Sequence, residues 1–95
     1  MEVAVTRRHV LIYEYVEDDV VARRAAHREQ HIGMVRHRMD DGRLLMAGAL
    51  GVDPPHGGLF VFCDAADAEE FAKADPYVTS GLVRDWRVDD WQVVS

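Results

Sequence analysis

The chain has 95 residues, which fits one domain with one core. At this length the free energy gained by burying apolar surface only slightly exceeds the cost in chain entropy. Its composition, 48% hydrophobic and 29% charged, excludes the disordered, collagen-like and disulfide-rich classes. The formal net charge of −6 argues against nucleic acid and anionic membranes as partners, because an acidic surface repels phosphate groups.

The cysteine content and the apolar stretches indicate the cellular compartment of the protein. The single cysteine, Cys63, cannot form an internal disulfide, and in an apolar segment a thiol behaves as a small hydrophobic group. The N-terminal residues lack the apolar region of a signal peptide, and the uncharged stretch 44–52 is too short to span a bilayer. We therefore expect a cytoplasmic protein with no membrane partner.

In chain order, the first predicted elements are a strand, a long helix and a second strand. Residues 9–16 are rich in β-branched and aromatic side chains and predict strand one. The acidic residues 17–19 offer an N-cap and a first turn for a helix that runs to about Asp40 and is closed by Asp41-Gly42. Strand two follows at 44–50.

The next elements are a loop, a third strand and a second helix. The loop 51–58 is rich in proline and glycine, and strand three follows at 59–63. Asp64 is the predicted N-cap of the second helix, with Asp67 in the capping-box position. This helix should end near Asp75, because the residue before a proline avoids α geometry.

A turn at 77–81 leads to strand four at 83–94. Its apolar positions are even at Trp86 and Val88 but odd at Trp91 and Val93, so we expect a bulge at Asp89-Asp90.

The predicted order is β-α-β-β-α-β, an α+β, ferredoxin-like arrangement with a four-stranded antiparallel sheet. We place strands one and three at the centre, parallel to each other, with both helices on one face because crossovers are right-handed. Strands one and three carry apolar residues on both faces, and two helices can cover only one. An exposed apolar face of this extent is typical of an interface, so we expect a homodimer.

Both predicted helices direct an ionisable group toward apolar surroundings. On a helical wheel Arg28 falls within the apolar stripe of the first helix and His31 at its flank, while Asp75 falls within the stripe of the second. If both helices run parallel from the same edge of the sheet, His31 and Asp75 lie at the same height and face each other. A carboxylate beside an imidazole fixes its tautomer and suits proton transfer near neutral pH. Alternatively, the histidine is a packing residue and the aspartate a turn former.

Other candidate residues have weaker support. Arg28 could bind a substrate, or its side chain could lie along the apolar surface with its charged end in water. His27 and His31, four residues apart, could hold a metal, but no third ligand is evident. We therefore predict no metal site. His56, between proline and glycine, could cap a cleft. Cys63 has no basic neighbour in sequence, which disfavours a nucleophilic role, and no phosphate-binding or dinucleotide motif is present, so we predict no cofactor.

A set of ordered motifs resembles the YCII-related (YciI-like) family over nearly the whole chain. The motifs are Arg28-x-x-His31, Gly42-Arg43-Leu44-Leu45-x-Ala47-Gly48, Phe60-Val61-Phe62, Ala74-Asp75-Pro76-Tyr77-Val78 and Gly81-Leu82-Val83. The resemblance implies a dimeric α+β barrel of ferredoxin-like subunits, with an active-site histidine and aspartate at His31 and Asp75. It also implies that some relatives are cofactor-independent enzymes acting on small, often aromatic or hydroxylated molecules, for instance by eliminating HCl.

This chain departs from the family pattern in two places. Where relatives often have a proline after the Ala-Gly of strand two, it has Gly48-Ala49-Leu50, and its loop 51–58 is short and carries its own Pro-Pro-His. Both differences lie where substrate selection is expected, so the substrate of a relative cannot be transferred.

The sequence therefore predicts one YCII-related domain over residues 1–95, with 1–7 loosely ordered, and a lyase-like, dehydrochlorinase-like or isomerase-like enzyme. His31 and Asp75 would be catalytic, and Arg28, Tyr77 and His56 would bind a small-molecule substrate. The alternative is a non-catalytic dimeric module that binds a small ligand in the same cleft.

Overall fold

In the computed structural model, which describes residues 4–95, four strands form one sheet in the order β2-β3-β1-β4. The elements are β1 (Val5–Tyr15), α1 (Val20–Ala25), α2 (Arg28–Asp40), β2 (Leu44–Leu50), β3 (Gly57–Phe62), α3 (Ala65–Ala74), α4 (Pro76–Thr79) and β4 (Val83–Val94). The predicted α+β class and the four-stranded antiparallel sheet are confirmed. None of the helices within residues 4–95 has the length and hydropathy needed to cross a bilayer.

The central strands β1 and β3 run antiparallel, so the prediction that they are parallel is wrong. The crossover through α1 and α2 makes β1 parallel to β2, and the hairpin from β2 to β3 then reverses the chain direction. Because β3 runs opposite to β1, the helix that returns from β3 also runs opposite to the helices that return from β1. The C-terminal end of α3 therefore lies near the N-terminal end of α2.

The strand bounds agree with the prediction for β2 and β4, while β1 is longer. β1 begins at Val5, so residues expected to be loosely ordered are part of the sheet from that point, and residues 1–3 lie outside the described chain. The predicted bulge at Asp89-Asp90 is wrong, since both residues pair with β1 in unbroken register and the irregularity lies between Glu14 and Tyr15. The change in apolar parity along β4 has another cause: its apolar residues lie on both faces of a regular strand.

The single long helix predicted after strand one is two helices, interrupted at Ala26-His27. Asp19 precedes α1 in a left-handed conformation, φ 54°, and its side chain makes no capping hydrogen bond. Asp64 precedes α3, also without a side-chain capping bond, and Asp67 lies 3.2 Å from a guanidinium nitrogen of Arg43 instead of capping the helix. Packing of the apolar face, rather than capping, therefore accounts for these helix starts.

The two faces of the sheet have different surroundings. On the helix-covered face, the buried side chains form the main core; those from β1 and β3 are Leu11, Tyr13, Tyr15, Phe60 and Phe62. On the other face Val10 and Val61 are shielded by their neighbours, but Met46 is 68% and Trp91 47% exposed. The second face is thus apolar around β2 and β3, carries the charged Asp85, Arg87 and Asp89 along β4, and lacks a cover from the described part of the chain.

We expect Gly57→Ala to destabilise the fold, because a Cβ at this position of β3 would overlap the carbonyl oxygen of Tyr13 in β1. The central strands would have to separate, at a cost of about 1–3 kcal/mol. Gly33→Ala is the control: it lies exposed in α2 with open space around its Cβ position, and should add about 1 kcal/mol of stability through helix propensity. Urea unfolding measures both, and equal stability of Gly57→Ala and wild type would contradict the close strand approach.

Candidate active site

Asp75 lies at the junction of α3 and α4 and is completely buried, with 0% of its surface exposed. Its backbone is extended, at φ −68° and ψ 125°, as expected before a proline. The backbone N–H of Tyr77 donates to Oδ1 of Asp75 at 3.0 Å, so the carboxylate caps α4. The sequence Asp75-Pro76-Tyr77 thus ends one helix, begins the next and turns a carboxylate into the core.

The other carboxylate oxygen of Asp75 has two partners. The phenol of Tyr13 donates to Oδ2 at 2.7 Å, and Nδ1 of His31 lies 2.8 Å from the same atom. Because a carboxylate only accepts hydrogen bonds, Nδ1 of the imidazole carries a proton and donates it. In the neutral ring Nε2 is then the acceptor, and among residues 4–95 no protein group hydrogen-bonds to it.

The predicted meeting of His31 and Asp75 occurs, but for a different reason from the one expected. The prediction assumed parallel helices and equal distances from their starts. In the structure the helices run in opposite directions: His31 lies in the first turns of α2, and Asp75 follows the last residue of α3. The two residues therefore come from adjacent helix ends.

Aromatic rings fix the orientation of the imidazole. The rings of His31 and Tyr77 stack with centroids 3.9 Å apart and an interplanar angle of 7°. Phe60 and Phe71 approach the imidazole edge-on, at 5.9 Å and 6.2 Å. His31 is only 6% exposed, so it has little freedom to adopt another rotamer.

Three tyrosines around the site resist ionisation. Burial, followed by the adjacent Asp75 carboxylate, raises the pKa of Tyr13 far above its ordinary value. Burial, followed by the neighbouring Tyr77 phenol, raises the pKa of Tyr15 to about 12. Burial also raises the pKa of Tyr77, against the opposing effect of the nearby Arg24 and Arg28 guanidinium groups. All three phenols are therefore neutral donors at physiological pH.

A cleft of about 170 Å³ opens beside His31, between α2 and the β2–β3 part of the sheet. Of the predicted substrate-binding residues, Arg28 and Tyr77 line this cleft. His56 instead lines a separate groove of about 540 Å³, and Tyr15 borders both spaces. Arg28 is exposed at the beginning of α2, although it lines the cleft on the same helix face as Ile32 and Val35.

Two site residues were missed in the sequence. Tyr13 was assigned only to the apolar face of strand one, although a buried phenol usually requires a hydrogen-bond partner, and that need was the available signal. Arg24 also lines the cleft, and its spacing of four residues from Arg28 was the signal there.

The remaining candidates from the sequence are a metal site at His27 and His31 and the thiol of Cys63. No group of three metal-ligating side chains occurs within residues 4–95, and Nδ1 of His31 is bonded to Asp75. Cys63 is half-buried, with its Sγ atom 3.5 Å from the carbonyl oxygen of Gly42.

Comparison with known proteins identifies the family. Residues 8–92 match the YCII-related domain, and the chain belongs to this family, as its motifs predicted. No curated protein matches the sequence.

Solved structures share the fold, and two of them show the extent of the similarity. One is the 5-chloro-2-hydroxyhydroquinone dehydrochlorinase of Burkholderia phenoliruptrix AC1100 in complex with 2,5-dihydroxybenzoquinone, with a TM-score of 0.69 and 17% identity over 87% of this chain and 92% of that one. The other is a protein from Shewanella oneidensis, with a TM-score of 0.56 and 17% identity over 98% of both chains. At this level of identity the likeness concerns the fold.

The tyrosine environments predict a loss of stability in alkali. A phenol whose pKa is raised in the folded state stabilises the protein fully below its unfolded value of 10.0, and this contribution falls as pH rises toward the folded value of about 12 for Tyr15. Each such tyrosine should lower the free energy of unfolding by about 1.4 kcal/mol per pH unit in this window.

Urea unfolding between about pH 9 and about pH 12 measures the slope. Tyr13→Phe should be less stable than wild type below pH 10 but lose stability less steeply above it, because one of the raised phenols is gone. Identical slopes for the two proteins would contradict the hydrogen-bonded environment assigned to Tyr13.

Proposed function

We propose that this member of the YCII-related family is a cofactor-independent enzyme that moves a proton on a small molecule, by elimination, isomerisation or related lyase chemistry. The observation that carries the proposal is the buried pair of His31 and Asp75, 2.8 Å apart, beside a cleft. A buried carboxylate is costly to maintain, and here three donors compensate it. The arrangement leaves Nε2 of His31 to act on a substrate.

In this proposal His31 acts first as a base and then as an acid. Nε2 accepts a proton from a carbon or hydroxyl group of the substrate, and the ring becomes an imidazolium whose charge is balanced by Asp75. In an elimination the electron pair left on the substrate forms a double bond and expels the leaving group, for example chloride. In an isomerisation Nε2 returns the proton to another atom. Such proton transfer contributes about 10²–10⁴-fold to a rate.

The dimensions of the cleft favour a substrate with one ring. Its volume is about 170 Å³, and a protein cavity of about 150 Å³ is known to hold benzene. The structurally similar dehydrochlorinase acts on a chlorinated hydroxyhydroquinone and is solved with 2,5-dihydroxybenzoquinone. Arg28 at the cleft would stabilise an enolate-like or phenolate oxygen that develops when the proton leaves. Hydroxylated and halogenated single-ring compounds are therefore the first substrates to test.

Replacement of His31 by glutamine should reduce turnover of such a compound by about 10²–10⁴-fold, because the base is removed. His37→Gln is the matched control, since it lies on the same helix, is exposed and does not line the cleft. Conversion of a panel of chlorinated and hydroxylated hydroquinones, followed by absorbance and chloride release, measures the effect.

Circular dichroism checks that the His31→Gln fold survives, and Asp75→Asn gives a second loss of turnover through the orientation of the ring. Full turnover by His31→Gln would refute the proposal. Thermal stabilisation of the wild type by panel compounds, without conversion of any, would instead support the non-catalytic binding module.

We further propose that the protein is a cytoplasmic homodimer in which a second copy covers the open face of the sheet. Val10 and Val61 at the centre of this face adjoin the partly exposed Met46 and Trp91, forming an apolar surface, bordered by the Arg87–Asp89 ion pair of β4, without a cover from residues 4–95. Monomers rarely leave such a surface in water. A reducing compartment suits the single cysteine.

Met46→Glu should convert the dimer to a monomer, because it places a charge in the apolar part of the paired faces, next to Val61, without altering the core of one chain. Val52→Glu is the control: this residue is 97% exposed, lies in the loop after β2 and should leave the dimer intact. Light scattering after size exclusion measures the mass. A wild-type protein with the mass of one chain would contradict the dimer.

A further inference from the structure

We propose that Arg24 and Arg28 together form an anion clamp at the mouth of the cleft. The ligand of this site would be a single-ring anion with two oxygens, one for each guanidinium group. The anion would be a carboxylate or the conjugate base of a hydroxyquinone. The inference rests on the proposed role of this cleft as the substrate site and adds to it the charge of the substrate.

The two arginines differ from more than half of the other eight arginines of the sequence. Five of the others are within 4.0 Å of a carboxylate: Arg7, Arg38, Arg43, Arg84 and Arg87. Arg24 and Arg28 line the cleft and make no ion pair with any carboxylate of residues 4–95. Unpaired guanidinium groups beside a cavity, in a chain with a net charge of −6, are the expected arrangement for capturing an anion that the rest of the surface repels.

The spacing of four residues, kept across the turn between α1 and α2, accounts for both side chains reaching one cleft. α1 ends at Ala25, and the N–H groups of Ala26 and His27 both bond to the carbonyl oxygen of Arg24 before α2 begins at Arg28. The two arginines therefore stand at the adjoining ends of α1 and α2. Each guanidinium presents a planar set of donors, which suits oxygens of a carboxylate or an enolate.

Arg24 lines the cleft together with Tyr15 and Tyr77, close enough to act on both phenols. Its guanidinium lowers the pKa of both Tyr15 and Tyr77 relative to the effect of burial alone, and Arg28 does so for Tyr77. Since the imidazole of His31 stacks on Tyr77, a ligand in contact with that imidazole is within the field of both arginines. The Asp75 carboxylate lies on the opposite side of the imidazole, where three hydrogen bonds compensate its charge.

Titration calorimetry with three single-ring probes tests the clamp. The probes are 2,5-dihydroxybenzoquinone and benzoate, which are anions at neutral pH, and benzamide, which has the shape of benzoate without its charge. We expect the wild type to bind at least one of the anions, more weakly at high salt, and benzamide about tenfold less tightly or worse. Binding of the quinone alone would identify the hydroxyquinone class, and binding of benzoate alone the carboxylate class.

Arg24→Gln and Arg28→Gln should each weaken binding of the anion about tenfold or more. Arg36→Gln is the matched control, because Arg36 lies exposed on α2, has no carboxylate partner among the described residues and does not line the cleft. It should keep the wild-type affinity. Independently of any ligand, Arg24→Gln should raise the pKa of Tyr15 further above about 12, which ultraviolet titration of the phenols records.

Three results would overturn the clamp: wild-type affinity in Arg24→Gln, equal affinity of benzoate and benzamide, or no binding of either anion. Failure of the proposed catalytic function has a different signature. His31→Gln keeps both arginines, so it should retain anion binding whether or not His31 is the base. Turnover that survives in His31→Gln would refute the catalytic role and leave the clamp standing.

Discussion

The structure around the cleft depends on the burial of one carboxylate. Asp75 has 0% exposure, and its two oxygens accept from the phenol of Tyr13, the imidazole of His31 and the backbone of Tyr77. These donors come from β1, α2 and α4, so the carboxylate joins the sheet to two helices. Removing a single donor leaves part of a buried charge uncompensated, which makes this network costly to disturb. The same bonds that hold the elements together also set the tautomer of His31.

Much of this arrangement could be predicted from local sequence. The strand patterns give the bounds of β2 and β4, and Asp75-Pro76 gives the end of α3, because each depends on residues close in the chain. The predicted relative direction of β1 and β3 was wrong because two connections set it together: the crossover makes β1 parallel to β2, and the hairpin then reverses the chain into β3. The bulge was wrongly predicted because apolar residues that change from even to odd positions look like a shift in phase, whereas in β4 they lie on the two faces of a regular strand.

The site shows the same division between local and long-range information. Asp75 within one apolar stripe and His31 at the flank of another were identified from the pattern of each helix, and the family motifs supported their pairing. Tyr13 was not identified, since its role depends on a carboxylate 62 residues away in the chain. Arg24 was missed although its spacing of four residues from Arg28 was visible in the sequence, because the cleft beside that helix face depends on how the helices pack on the sheet.

The side chains of β1 alternate between the two faces of the sheet, and this alternation connects the site to the open face. The odd residues Tyr13 and Tyr15 face the helices, where one bonds to Asp75 and the other borders the cleft, while the even residue Val10 faces the open side. A strand with period two can thus support a polar network on one face and an apolar contact surface on the other. Because the cleft lies on the helix-covered face, the His31–Asp75 pair and both arginines belong to one chain. A second copy on the open face would therefore stabilise the sheet that carries Tyr13 without having to supply the residues that act on the ligand.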